Sequence, residues 1–102
     1  MKSFALVTGL FLLVVCLGCR HRPVAAPMDA ELACGECQFG MTGTNCDLAV
    51  RLGGRAYFVT GFNIDQFGDA HATNGFCNAI RPARVAGRIK ASRFAAQSIE
   101  LK

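Results

Sequence analysis

The sequence predicts a mainly β protein, a small five-stranded OB-like barrel with a short helix between its third and fourth strands, preceded by a signal peptide. Two pairs of alternating apolar segments predict the strands, and a glycine- and asparagine-rich stretch between the pairs predicts the helical connection. The chain has 102 residues, of which 52% are hydrophobic. This length allows one small domain and excludes large multi-step catalytic machinery.

The clearest element is a hairpin in the middle of the chain. Alternating segments 47–52 and 55–60 flank two glycines, which supply the positive φ angles of a two-residue turn. Pairing across this turn places Val50 opposite Tyr57 and gives the hairpin one apolar face. An irregular first strand is expected before the hairpin, over residues 32–41.

The C-terminal part predicts a second hairpin and the helical connection. Basic and apolar residues alternate around Val85 and Ile89, so we expect a fourth strand with both side chains facing the core, then a turn and a fifth strand. Ahead of this hairpin, Phe76, Cys77 and Ile80 recur at helical spacing before a proline. This pattern predicts one or two helical turns there.

The N terminus predicts export. Lys2 precedes an apolar run, and residues 1–18 are therefore predicted to be a signal peptide. Cys19 follows directly and resembles the lipidated cysteine of bacterial lipoproteins. Cys16 and Leu17 depart from the pattern usual before that cysteine, so ordinary signal cleavage is the alternative.

Two segments follow the predicted signal peptide. Residues 19–30 begin with Cys19, contain prolines and alanines without periodicity, and are expected to form a flexible tether. Residues 31–102 contain no repeat and no low-complexity run, so we expect one cysteine-containing β domain there. We therefore expect the protein in the bacterial cell envelope, facing the periplasm and bound to the membrane by a lipid on Cys19.

The predicted domain contains four cysteines, Cys34, Cys37, Cys46 and Cys77. They indicate either disulfides that stabilise the domain or a site that binds a metal ion. In an exported protein, four cysteines are typical of two disulfides, each of which stabilises a small core by about 2–4 kcal/mol. The sequence leaves three connectivities open. In this alternative, the protein is a disulfide-stapled interaction module that binds an envelope partner and no metal.

A second interpretation is a transition-metal site. Cys34 and Cys37 form a C-x-x-C motif whose thiolates can bind one soft ion, zinc or copper. Cys46 and Cys77 are the next candidate ligands, and His71 is a substitute ligand or a group that supports one. No second C-x-x-C motif is present, so the sequence leaves disulfides and metal both open.

A third, minor interpretation makes the C-x-x-C motif a thiol–disulfide exchange pair. A redox motif of this kind opens a long helix, whereas Gly40 and Gly43 follow here without helical periodicity. The sequence contains no Ser/His/Asp arrangement, phosphate-binding loop or metalloprotease helix motif. We therefore expect no enzymatic activity.

The C-terminal half contains a basic segment with no acidic residue, formed by Arg81, Arg84, Arg88, Lys90 and Arg93. Stacking aromatics are scarce along it, and an exported protein rarely meets nucleic acid. We therefore predict a solvated face or contact with an anionic membrane surface, and no nucleic-acid partner.

Five segments of the chain resemble those of a family of short, exported bacterial proteins of unknown function. They read CGECQFG at 34–40, CDLAV at 46–50, AYFV at 56–59, GDAHA at 68–72 and GFCNAIR at 75–81. The resemblance implies an extracytoplasmic bacterial setting in which the cysteine and histidine segments belong together. It implies no known activity.

Overall fold

Residues 25–102 are described in the computed structural model of the chain. The predicted signal peptide, Cys19 and the first part of the predicted tether lie outside the described residues. None of the helices in the described part is long and apolar enough to cross a membrane.

The described residues form a closed five-stranded barrel. Its strands are β1 (Met28–Cys34), β2 (Leu48–Leu52), β3 (Arg55–Thr60), β4 (Arg81–Lys90) and β5 (Arg93–Leu101). Around the barrel the order is β1-β2-β3-β5-β4, and β4 closes onto β1. Neighbours pair antiparallel except β3 and β5, which pair parallel. The predicted mainly β, five-stranded OB-like class is confirmed.

The hairpin of β2 and β3 has the predicted turn and register. Val50 pairs with Tyr57, and the turn consists of Gly53 and Gly54 with φ angles of 56° and 86°. Both angles are positive, as a type I′ turn requires, and this turn has the twist of the strands that it joins. The glycine pair therefore determines the register in which β2 and β3 pair.

The first strand lies earlier in the chain than the predicted 32–41. β1 begins at Met28 because it pairs on both sides, with β4 from Met28 onward and with β2 up to Cys34. At Cys34 the chain leaves the sheet and turns into a four-residue helix, α1 (Gly35–Gln38). The C-x-x-C motif therefore spans the junction between a buried strand and a single helical turn.

A short helix does lie between the third and fourth strands, but its predicted position was wrong. It is a 3₁₀ helix at Ile64–Phe67. Asn63 caps it, because its side chain accepts the N–H of Asp65 at 3.1 Å while Gln66 accepts the N–H of Asn63 at 2.6 Å. The segment around Phe76, where one or two helical turns were predicted, forms hydrogen-bonded turns instead.

The core fills the barrel with side chains from the inner faces of the strands and from the loop before β4. Phe76, Phe94, Leu32, Val50, Val85 and Cys34 are its largest fully buried members. The inward position predicted for Val85 is confirmed. The position predicted for Ile89 was wrong, since Ile89 is 48% exposed. β1 pairs with β4 only as far as Val85, so the end of β4 has β5 alone beside it.

Candidate metal centre

The four cysteines of the domain come together where β1, α1, the start of β2 and the loop before β4 meet. Their sulfur atoms all lie within 4.8 Å of one another. Cys46 is central: its Sγ lies 3.0 Å from that of Cys34 and 3.9 Å from that of Cys37, and it forms a disulfide with Cys77. Cys34 and Cys37 are free thiols.

The junction between β1 and α1 positions the first two cysteines. Cys34 is the last residue of β1, on the strand face that points into the barrel, and its side chain is buried. It also caps α1, since its Sγ accepts the backbone N–H of Cys37 at 3.4 Å. Cys37 lies one helical turn further and is exposed. The motif therefore presents one buried and one accessible sulfur to the same point.

Cys46 reaches the cluster because it lies just before β2. Leu48, the first residue of β2, faces the core, and Cys46 lies two residues earlier and packs against the same core. The N–H of Gly35 donates to the carbonyl of Asp47 at 2.8 Å, which ties this segment to the start of α1.

Cys77 is placed by three hydrogen bonds that fix its loop against β1 and α1. The N–H of Cys34 donates to the carbonyl of Phe76 at 3.0 Å, and the N–H of Cys77 donates to that of Ala70 at 2.9 Å. Gln38 Nε2 donates to the Cys77 carbonyl at 2.8 Å. Sequence analysis missed the role of Gln38, although its place directly after the C-x-x-C motif was a signal.

Gly75 is the tightest point of the Cys77 loop, and we predict that Gly75→Ala disrupts it. A Cβ atom at this position would collide with the backbone carbonyl oxygens of Asp69 and Ala70. The expected cost is about 1–3 kcal/mol of unfolding free energy, measured by denaturant titration. Thr73→Ala, at an exposed position of the same loop, is the control. Equal stability of the two variants would contradict the packing described here.

One carboxyl group lies beside the sulfurs, that of Glu36, and a second, that of Asp47, lies next to Glu36. Glu36 Oε1 accepts the N–H of Asp47 at 3.1 Å and lies 3.9 Å from the sulfur of Cys34. Hydrogen bonding to Glu36 is the main cause that raises the pKa of Asp47, and burial is the second. Desolvation alone would raise the pKa of Glu36, but several hydrogen bonds, led by that of the Asp47 N–H, outweigh it, and the pKa is lowered.

Burial raises the pKa of the Cys34 thiol. An unpaired thiolate is therefore disfavoured at this position in the absence of a positive charge. A bound cation would supply that charge and favour the deprotonated sulfur.

His71 is not part of the cluster. Its side chain is 80% exposed, and its Nδ1 lies 3.9 Å from Asp69 Oδ1. The loop uses the backbone of His71: its N–H donates to Asp69 Oδ1 at 2.9 Å, and its carbonyl accepts from Asn78 at 2.9 Å. Of the five residues predicted as candidate ligands, the structure brings together the four cysteines and leaves the histidine in the solvent.

When the bond between Cys46 and Cys77 is reduced, the four sulfurs form a donor set that suits a soft metal ion. In a tetrahedral zinc site with bonds of about 2.3 Å, neighbouring sulfurs lie roughly 3.8 Å apart, and the distances from Cys46 to Cys34 and Cys37 are 3.0 and 3.9 Å. The Cα atoms of Cys46 and Cys77 are 7.2 Å apart, a separation that two ligands of one ion can span. The described residues contain one disulfide and two thiols, not the two disulfides expected of a stapled module.

The fold and the site define a class: a small closed β-barrel with four clustered cysteines at one edge. The chain belongs to DUF6370, a family of unknown function, which it matches over residues 28–102. Membership in an uncharacterised family is thereby confirmed, while the family's particular sequence segments and its exported setting stay predictions. No curated protein and no solved structure was found to match the chain.

Proposed function

We propose that this protein binds one transition-metal ion, zinc or copper(I), through Cys34, Cys37, Cys46 and Cys77, and that it has no enzymatic activity. The observation that carries the proposal is the convergence of four sulfurs within 4.8 Å from three separate segments of the chain. Soft thiolate ligands select these ions, and four of them complete a closed, structural type of site. His71 takes no part in it.

Metal content and thiol count test the proposal directly. We would purify the full chain with Cys16→Ser and Cys19→Ser, so that every thiol counted belongs to the cluster, and load it with zinc under reducing conditions. The expected result is one zinc per chain by elemental analysis and native mass, and four thiols after denaturation. A chain that holds no zinc or copper when its four thiols are reduced would contradict the proposal.

The disulfide between Cys46 and Cys77 favours a second candidate, a stapled interaction module for an envelope partner. In that case the bond serves stability, and the remaining thiols, Cys34 and Cys37, bind nothing. Zinc-loaded and metal-free chains separate the two candidates, because the module predicts equal thermal stability for both. Metal binding predicts a melting temperature that rises with zinc concentration.

We also propose that the barrel faces the periplasm of a bacterial envelope and is bound to the membrane by a lipid on Cys19. The apolar run that ends at this cysteine supports the proposal. We predict that Cys19→Ser moves the protein from the membrane fraction to the soluble fraction, or leaves it unprocessed, and abolishes incorporation of labelled palmitate. Cys16→Ser, the control, keeps both properties, and palmitate labelling that persists in Cys19→Ser would contradict the assignment.

A further inference from the structure

A small cavity opens beside the cysteine cluster. Its volume is about 110 Å³, and Cys46 lines it together with Asp47, Asn63 and Arg93. Of the four cysteines of the cluster, Cys46 is the one that lines this cavity. A small molecule bound in it would therefore lie against Cys46 and not against the other three cysteines.

The arrangement of the sulfurs makes Cys46 the point at which bonds can be exchanged. It is within 3.9 Å of the two free thiols and is bonded to the fourth cysteine. Thiol–disulfide exchange requires a sulfur that one thiolate can attack while another leaves. Cys77 shares this bond, but it does not line the cavity.

The cavity is lined by one carboxyl group, that of Asp47, and by one cationic group, Arg93, which is the group that an anionic ligand would bind. Arg93 is held there by stacking over Phe58, 5.6 Å from its guanidinium carbon to the ring centroid, and by donating to the carbonyl of Val59 at 3.4 Å. Guanidinium groups bind carboxylates with paired hydrogen bonds. The amide of Asn63 lines the same space and can add a further bond.

We propose that Cys46 reacts with small carboxylate-bearing disulfides in this cavity, and that the reaction releases the metal; this inference rests on the proposed metal site. The Cys46 thiolate attacks one sulfur of the external disulfide, forms a mixed disulfide and expels one thiolate. The Cys77 thiolate then attacks the Cys46 sulfur, forms the Cys46–Cys77 bond and expels the second thiolate. Two protein thiolates are oxidised, and the external disulfide is reduced to two thiols.

Loss of the metal follows from the number of ligands that remain. Once Cys46 and Cys77 are joined, Cys34 and Cys37 are the only sulfurs of the cluster able to coordinate as thiolates. Two thiolates leave half of a tetrahedral zinc shell to water. The oxidised state has the bonding seen in the structure, in which Cys46 and Cys77 are joined.

The test uses the full chain with Cys16→Ser and Cys19→Ser, reduced and zinc-loaded, treated with 3,3′-dithiodipropionate. A chromogenic chelator should report one zinc released per protein disulfide formed, while the denatured mass falls by about 2 Da. Peptide mapping should join Cys46 to Cys77. Zinc that stays bound after oxidation, or a disulfide that joins Cys34 to Cys37 instead, would overturn the inference and leave the metal site intact.

Arg93 variants test the ligand class. Arg93→Gln should slow the reaction with dithiodipropionate roughly tenfold and leave the reaction with neutral 2-hydroxyethyl disulfide unchanged. Arg93→Lys should retain most of the preference. Arg88→Gln, which removes an exposed cation that does not line the cavity, is the control. Equal rates for Arg93→Gln and the parent chain would refute anion selection, and a chain that binds no zinc at the outset would refute both proposals.

Discussion

Replacing Cys46 by serine is expected to weaken zinc binding at least about a hundredfold, the largest effect of any single change at the site. Cys46 is central to the cluster, with its sulfur close to those of Cys34, Cys37 and Cys77. Its loss removes one ligand, and this ligand is the sulfur that lies next to both the C-x-x-C motif and Cys77. Competition with a chelator of known affinity, under reducing conditions, measures the change.

His71→Ala is the matched control for this prediction. The residue belongs to the same sequence neighbourhood as Cys77 and was itself a candidate ligand, yet its side chain is 80% exposed and outside the cluster. We expect zinc affinity within twofold of the parent, about 0.4 kcal/mol. A His71→Ala variant that loses zinc as Cys46→Ser does would show that the ligand set is wrong.

The second large effect is expected at Phe76, where the site meets the core. Its ring is 2% exposed and contacts that of Phe67 edge-on, with centroids 5.7 Å apart. Truncation to alanine is expected to cost about 3–5 kcal/mol of unfolding free energy, because it removes a large buried ring and leaves a cavity. Chemical denaturation of the metal-free chain measures the stability.

The consequence of Phe76→Ala for the site follows from the backbone. The carbonyl of Phe76 accepts from the N–H of Cys34, and Cys77 is the next residue. We therefore expect Phe76→Ala to weaken zinc binding, while the milder Phe76→Leu keeps a folded protein with intermediate values. Ile89→Ala, at a position 48% exposed, should change stability by less than about 0.5 kcal/mol. A Phe76→Ala loss as small as that of Ile89→Ala would contradict the packing.

The sequence predicted those parts of the fold that depend on residues close together in the chain. The glycine pair at positions 53 and 54 determines a turn, and the turn determines the pairing of Val50 with Tyr57. The class of barrel followed from the number and order of the strands. Ile89 could not be placed in this way, because its exposure depends on where the pairing with β1 ends.

The sequence predicted that cysteines form the candidate site, but it did not show whether His71 belongs to it. Cysteines are rare enough that their convergence was a sound expectation, whereas His71 and Cys77 lie close in sequence without sharing a site. The separation arises because Cys77 is tied to Ala70 and Gln38 by its backbone, while the His71 side chain points to solvent. These hydrogen bonds link distant segments, and single-sequence patterns carry no record of them.

The position predicted for the connecting helix was wrong for a related reason. Phe76, Cys77 and Ile80 have helical spacing, but Phe76 fills the core while Gly75 packs against backbone carbonyls, and the chain forms turns there. The 3₁₀ helix arises instead where two side chains accept backbone N–H groups at its start. The Asn63 side chain accepts from Asp65, and the Gln66 side chain accepts from Asn63. The capping residues were the better signal than the apolar spacing.

X-ray absorption spectroscopy of the zinc-loaded, reduced chain tests the central claim most directly, because it reads the atoms bound to the ion. The four-cysteine site predicts four sulfur ligands at about 2.3 Å and no nitrogen or oxygen in the first coordination shell. Cys46→Ser should replace one of them by a lighter ligand. A spectrum with two sulfurs and a shell of nitrogen or oxygen ligands in the parent chain would contradict the four-cysteine metal centre.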